Sequence, residues 1–363
     1  MARFKSSWQP GKGKAKASNS RTPKNPTAED GTESGEPSVP AKLQQACLNI
    51  FREALKPGDE DGAVLQEVKG HLYNRDFAAA FGKEEYLRVY ASRWSPSRAL
   101  GYLQIFADVQ ETLLEGQGGE TDSRPDGEPL SIVCLGSGGG AELVALAGWL
   151  SQIRSSVAET KLSVDMVDIA SWSSVMAILE KQIATPPELS KYASAAAIER
   201  NTPMVPAGAL ESRFHQQDLL EQSETGVAAV VGNAKLVTLM FTLNELYSTN
   251  MQKTQRLLHH ITAALPLHAL LLVVDSPGSY STVSINGAEK KYPMQWLLDY
   301  TLLDAPRKTG SGQEKPKWEK VMSDESRWFR LSQGLLYPIE LEDMRYQIHL
   351  YRRVGNEEAE DEE

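Results

Sequence analysis

Four glycines in five residues, Gly136-Ser137-Gly138-Gly139-Gly140, follow the apolar run Leu130–Leu135 and precede a helical stretch over 141–150. Glycine tolerates positive φ and lets a ligand lie against bare backbone. The free amides of the helix start then favour an electron-rich ligand group. Nucleotide-type cofactors bind at such a strand, turn and helix, at the carboxyl end of a central strand of an open α/β sheet. A tight turn without a ligand is the plainer reading, but it does not require four glycines. Gly136, Ser137, Gly138 and Gly140 are the candidate cofactor contacts. Asp168, ending a second strand over 161–167, is placed to reach a ribose diol. Asp218, ending a third over 211–217, is expected near an adenine amino group. A fourth strand over 235–241 runs into Thr242-Leu243-Asn244-Glu245-Leu246-Tyr247. There Asn244 and Glu245 could accept a hydrogen bond or a proton, and Tyr247 could stack an aromatic ring. An acid favoured by the helix dipole is the other reading of Glu245. A fifth strand over 268–275 ends at Asp275.

The turn alone does not name the cofactor. Gly136-x-Gly138-x-x-Ala141 formally matches a dinucleotide fingerprint, a weak signal by itself, and both NAD and S-adenosylmethionine sites use an acid placed like Asp168. The surrounding elements separate the two. Helical stretches such as 251–264 alternate with the strands, which predicts a largely parallel sheet. Further on, 327–331 and 344–351 alternate apolar or aromatic residues with polar ones, the period of half-buried strands. The turn region over 334–343 is too short for a helical crossover, so these two should pair as a hairpin. The expected fold is therefore α/β: a class I (Rossmann-like) methyltransferase sheet, mostly parallel, with an antiparallel hairpin and an N-terminal helical cap. A dinucleotide dehydrogenase more often places its glycine turn near the start, whereas about a third of this chain precedes it. S-adenosyl-L-methionine is the expected cofactor, and an NAD-dependent dehydrogenase the lesser alternative.

Composition sets the frame. The chain has 363 residues, 41% of them apolar, enough for a sizeable core. It has no apolar run of membrane-spanning length and no secretory leader, so a soluble protein is expected. Two cysteines, Cys47 and Cys134, fit a reducing compartment and exclude a disulfide framework. His259, His260 and His268 lack partners at ligand spacing, so no metal is expected. Residues 1–28 carry seven Lys or Arg and no acid, and residues 357–363 carry six acids. These charges nearly cancel, so the net charge of −10 belongs to the body between them. Four segments are expected: a disordered basic arm over 1–40, a helical cap and linker over 41–128, a catalytic domain over 129–354 and a disordered acidic tail over 355–363. The arm suits a nucleic-acid contact or nuclear targeting, or is a solvated linker. An acidic body restricts any RNA contact to a local basic groove plus the arm.

In the cap, Leu43, Cys47, Ile50, Phe51 and Leu55 form an apolar stripe at helical spacing. Helices are predicted over 84–91 and 97–114, the second with Pro96 in its first turn, followed by a linker over 116–128 rich in Gly, Asp and Pro. The cap should pack over the cofactor site. Tyr90, Arg93, Trp94, Arg98 and Tyr102 stand out in it, either as substrate contacts, since arginine beside aromatics suits stacking and phosphate recognition, or as ordinary helix packing. Arg93, Arg98 and Tyr102 are the candidate substrate residues beside Tyr247.

Longer runs carry a family likeness. Tyr86-Leu-Arg-Val-Tyr-Ala-Ser-Arg-Trp-Ser-Pro-Ser-Arg-Ala-Leu-Gly-Tyr102, the glycine turn with its flanks, Glu325-Ser-Arg-Trp-Phe-Arg-Leu331 and Tyr337-Pro-Ile-Glu-Leu-Glu-Asp-Met-Arg-Tyr-Gln347 resemble the fungal large-subunit ribosomal RNA methyltransferases that modify uridine at N3. The resemblance runs from about Leu43 to Val354, and its Ser-Arg-Trp-Phe-Arg and Pro-Ile-Glu-Leu-Glu-x-Met-Arg runs are more specific than the turn. It departs at Cys134, where many class I methyltransferases carry an acid that orients the cofactor's amino group, so that duty must fall elsewhere. The resemblance implies a flipped or single-stranded uridine methylated in line, with Asn244 or Glu245 accepting the N3 edge. Methylation at ring carbon 5 would usually call for a cysteine nucleophile, and neither Cys47 nor Cys134 is well placed. The implied partner is ribosomal RNA or a pre-ribosomal particle, with a monomeric protein in the nucleus or nucleolus, or in the cytoplasm. A non-catalytic assembly factor on the same fold is the remaining alternative.

Overall fold

The computed structural model describes residues 39–114, 128–155, 159–278, 280–285, 288–304 and 317–355. The expected basic arm, Gly-rich linker and acidic tail lie outside them, apart from a residue or two at their borders. The described helices begin with α1 (Ala41–Leu55), α2 (Gly62–Tyr73), α3 (Phe77–Ala80), α4 (Glu84–Asp108) and α5 (Gln110–Leu114). Strands and helices then alternate: β1 (Leu130–Leu135), α6 (Ala141–Ile153), β2 (Leu162–Asp168), α7 (Ser173–Ile183), α8 (Ala195–Glu199) and β3 (Leu210–Gln216). Next come α9 (Glu224–Val231), β4 (Leu236–Met240), α10 (Leu243–Thr249), α11 (Met251–Ala264) and β5 (Leu270–Asp275). The chain continues through β6 (Tyr280–Ile285), β7 (Ala288–Pro293), α12 (Met294–Asp299), β8 (Trp318–Phe329) and β9 (Met344–Arg353).

Seven strands form one sheet in the order β3-β2-β1-β4-β5-β9-β8. Strands β1 to β5 are parallel, β9 runs antiparallel to β5, and β8 pairs with β9 as the expected hairpin. Strand β4 follows β3 in sequence but lies beside β1, so the order reverses between β1 and β4, where such sheets open a crevice. The central strands β1, β4 and β5 read as largely apolar runs because helices cover both their faces. Along β1, Ile132 and Cys134 enter one core with α1, α4, α6 and α7, while Val133 and Leu135 enter the other with α9, α10, α11 and α12. The N-terminal helices are thus more than a cap. They build one face of the sheet.

Two elements differ from their sequence-based prediction. Pro96 does not start a new helix, because α4 runs through it. Proline removes the amide that would bond the Ser92 carbonyl, and the Tyr337 hydroxyl donates to that carbonyl instead, at 3.0 Å. Strand β8 starts at Trp318, earlier than the expected 327, and irregularities between Lys320 and Met322 and between Asp324 and Arg327 break its alternation. The β6–β7 hairpin was not anticipated, although an Asn286-Gly287 pair between apolar residues is a strong hairpin signal.

Candidate active site

A cavity of about 980 Å³ opens where the strand order reverses, at the carboxyl ends of β1, β2, β4 and β5. Its size matches the upper range of small-ligand pockets, roughly 300–1,000 Å³, enough for a nucleotide cofactor and part of a substrate. Gly136, Gly138, Ala141, Glu142, Asp168, Asp218, Asn244, Glu245 and Asp275 all line it. The glycine turn bends back through positive φ, and Gly136 N–H donates to the Val167 carbonyl at 2.8 Å. A Cβ on Gly138 would stand 2.6 Å from Trp172 Nε1 and 3.0 Å from Asp168 Oδ2. Backbone alone therefore keeps the space before Asp168 clear. Gly140 has φ of 77° and abuts Leu179 of α7. Neither it nor the fully buried Ser137 lines the cavity, so both shape the turn from behind.

Asp168 is oriented from below. Its Oδ1 accepts the Ala170 amide at 2.9 Å and Trp172 Nε1 at 3.1 Å. Burial pushes its carboxyl above the ordinary range, and these bonds pull it back. Asp218 caps a short turn, its Oδ1 accepting the Leu220 amide at 2.9 Å.

Helix α4 supplies the opposite wall. Four-residue spacing puts Tyr90, Trp94, Arg98 and Tyr102 on one face, and all four line the cavity. Arg98 Nη1 donates to the Tyr90 hydroxyl at 3.0 Å, and its guanidinium lies 5.4 Å from the Phe241 ring centre. Arg93 sits around the helix from this face. It pairs with Glu342 and is absent from the cavity wall, because α4 there packs against the 340–342 segment, where Ser97 Oγ also accepts the Glu342 amide at 3.0 Å. Phe81 of the α3 C-cap, Tyr90, Trp94 and Trp172 form an aromatic wall with ring centres 4.8–5.7 Å apart.

Helix α10 divides its residues in the same way. Leu243 and Tyr247 turn into the core, Tyr247 only 3% exposed among α11 and α12, whereas Asn244 and Glu245 face the cavity. Tyr247 is thus no stacking platform. Phe241, held in the left-handed region at φ 57°, occupies that position instead. Glu245 is half-exposed and paired with Arg75. Asp275 is 3% exposed, accepts the Asn244 amide at 3.0 Å and the Ser276 amide at 2.8 Å, and is pushed by burial up to about 6. From sequence Asp275 stands at a strand end, the fallback proton acceptor should Asn244 and Glu245 not serve. Glu142, Phe241 and Trp172 were not singled out, although each lies within about a helical turn of an assigned residue. His215, on β3, bonds Asp165 at 2.7 Å. Among the described residues no cluster of three or more His, Cys, Asp or Glu is placed to hold a metal, and no helix is long and apolar enough to cross a membrane.

The cavity suits the expected cofactor. Glu142 is 3% exposed, its Oε1 has no partner, and burial pushes it up to about 8, with Arg98 pulling the other way. The buried Glu142 and the half-buried Arg98, both lining the cavity beside the glycine turn, complement the ammonium and carboxylate of a methionine group. Glu142 would take the duty of the acid missing at Cys134. Asp168 would hold the ribose, behind the glycine backbone that clears its approach.

Known proteins resemble this chain to different degrees. The S-adenosylmethionine-dependent methyltransferase from Methanosarcina mazei is 12% identical and covers 62% of this chain and 93% of its own, at a TM-score of 0.35. One from Clostridium acetobutylicum is 9% identical and covers 78% and 99%, also at 0.35. Over 332 residues the chain is 34% identical to the 25S rRNA (uridine(2843)-N(3))-methyltransferase of Saccharomyces cerevisiae, covering 85% of each. Residues 50–352 match the family described as "Putative SAM-dependent methyltransferase". With that match spanning both cores and every wall of the cavity, the chain belongs to the S-adenosylmethionine-dependent methyltransferase family.

Proposed function

We propose that this protein methylates N3 of a uridine in large-subunit ribosomal RNA. The observation that carries the reading is its identity to the yeast uridine-N3 enzyme along 85% of both chains. The cavity supplies chemistry that suits it. S-adenosylmethionine, when bound, supplies a methyl carbon made electrophilic by its sulfonium. N3 of neutral uridine carries a proton and is a poor nucleophile until that proton leaves. Asp275 is the better acceptor of the two acids beyond the glycine turn, because it is buried and its carboxyl lies close to neutrality, whereas Glu245 is committed to Arg75 at the mouth. Asn244, whose buried Oδ1 lacks a partner, orients the base edge. Asp275 would accept the N3 proton, freeing the nitrogen lone pair for the methyl group that the cofactor would supply as it becomes a neutral thioether. Phe241 and the aromatic wall suit a base taken out of its stack.

In this reading residues 41–354 act as one catalytic unit, and the basic arm adds salt-dependent RNA affinity. A working monomer belongs to the same reading. A ribosomal substrate and a basic arm support the nucleus or nucleolus, with the cytoplasm as the alternative. The test is incubation of the protein and labelled S-adenosylmethionine with unmodified large-subunit RNA, followed by nucleoside mass spectrometry. The expected product is 3-methyluridine. Label in 5-methyluridine, or none in RNA, overturns the reading.

A further inference from the structure

The Ser326-Arg327-Trp328-Phe329-Arg330 run, among the most distinctive in the sequence, takes no part in the cavity. It lies at the end of β8, one of the two edge strands of the sheet. Phe329 turns inward, where Gly101 of α4 leaves room for it and for Met344. Side chains alternate along a strand, so Trp328 faces the other way, and Trp328 is 50% exposed. The Arg330 guanidinium lies 3.9 Å from its ring centre, and that of Arg345, its cross-strand partner on β9, 5.6 Å away. Both arginines are held in place. Arg330 pairs with Asp343 at 2.6 Å, and Arg345 Nε donates to Ser326 Oγ at 3.0 Å. Among the described residues Arg345 has no carboxylate partner, so its charge faces solvent uncompensated.

The position of this group matters as much as its make-up. Asp275 pairs with Gln347 across β5 and β9, and Gln347 Nε2 donates to the Ser276 carbonyl at 2.7 Å, in the cavity wall. Arg345 lies two residues farther, about 7 Å beyond the carboxyl end of β5. The arginine–tryptophan group therefore stands at the same end of the sheet as the cavity, past the edge that carries Asp275. An exposed indole flanked by two positioned guanidiniums, of which Arg345 alone lacks a carboxylate partner among the described residues, offers a π surface with one free cation beside it. A single-stranded nucleic acid, with its unpaired bases and phosphates, is complementary to that combination.

We propose that Trp328, Arg330 and Arg345 form a docking platform for a nucleotide of the substrate RNA strand that flanks the target uridine. The platform anchors the strand outside the cavity while the uridine is turned in. This inference rests on the RNA reading above. The test compares Trp328→Ala, Trp328→Phe and Arg345→Glu with the parent in three measurements: binding of fluorescein-labelled single-stranded oligouridine, steady-state methylation of large-subunit RNA, and calorimetric affinity for S-adenosylhomocysteine. Loss of one stacking contact weakens RNA binding by roughly tenfold. Trp328→Ala and Arg345→Glu should raise the KM for RNA by that order, leave kcat at saturating RNA and the cofactor product's affinity unchanged, and melt like the parent. Trp328→Phe should restore most of the affinity, and Arg345→Glu should lower the salt dependence of binding by about one released ion. Parent-like RNA affinity and KM in both disruptive variants, with the parent active on RNA, would overturn the platform alone. The same result with a dimer-to-monomer shift in sedimentation would assign the surface to a second copy of this chain. A parent that transfers no methyl to RNA would overturn the underlying reading, and the platform with it.

Discussion

Glu142 allows cofactor binding to be followed through a proton. Burial opposes its charge most and Asp168 adds to that, while its own backbone amide and Arg98 favour the charge, leaving its carboxyl at about 8. Near pH 7 the cofactor-free side chain is therefore mostly the neutral acid. An ammonium seated beside it favours the carboxylate, so binding should expel close to one proton. Affinity then scales with the ionised fraction, and binding should tighten about sixteenfold from about pH 6.5 to about pH 8. Calorimetric titration with S-adenosylhomocysteine near pH 7, in two buffers of different ionisation enthalpy, counts that proton directly. Glu142→Gln keeps the shape and removes the acid, so its heat should not depend on the buffer and its affinity should stay level across the window. Stability moves with the same proton. The folded-state pKa lies above the ordinary 4.5, so between 4.5 and about 8 the folded protein holds a proton that the unfolded chain has released. Stability of the cofactor-free protein should fall as pH rises through that window, by at most about 5 kcal/mol. Glu142→Gln should lack the fall and melt above the parent near pH 8. Heat identical in both buffers for the unmutated protein would refute the argument, because it would mean that Glu142 is already ionised or does not meet the cofactor's ammonium.

Asp275→Asn should bind S-adenosylhomocysteine normally yet lose about a hundredfold or more in methylation rate. In the parent, kcat should rise with pH through about 6 and level off above it, since only the ionised Asp275 accepts a proton, and the variant should lack that limb. Gly140→Ala sets a side chain at φ 77° against Leu179 and should cost about 2–4 kcal/mol in urea unfolding. A parent-like midpoint would show that α6 and α7 separate freely. Tyr337→Phe leaves the Ser92 carbonyl without its donor and should cost about 1–2 kcal/mol. No loss would mean that water or a helix adjustment satisfies that carbonyl.

The sheet was legible in sequence because its strands are covered on both faces, so β1, β4 and β5 appear as short runs that are apolar but for Ser131, Thr238 and the closing Asp275. The cofactor side was legible for a related reason. Glycine at 138 and an acid at 168 are backbone and strand-end requirements, and these leave local traces. The substrate side was legible only in part. Arg93 and Arg98 differ by little more than a helical turn, and which of them faces the cavity depends on where the 340–342 segment packs. Tyr247 looked like a platform because it follows Asn244 and Glu245, yet helical spacing pairs it with Leu243 and draws it into the core. Pro96 read as a helix start because its missing donor is made good by Tyr337, 241 positions away in sequence, and no local window contains that partner.

Strand β9 follows every other strand of the sheet in sequence but lies between β5 and β8. Until it is in place, β8 has no neighbour in the sheet and β5 has one side bare. During synthesis the five parallel strands can assemble as they emerge, but the last edge must wait for a segment that wedges in from the far end of the order. Non-local pairing of this kind closes late. Any nascent form lacking residues 344–353 would expose the bare edge of β5, a template for mispairing with another chain. It would also leave unfinished the wall in which Gln347 holds the loop after Asp275. Completion of the fold and readiness for catalysis are therefore a single event, timed by the last strand.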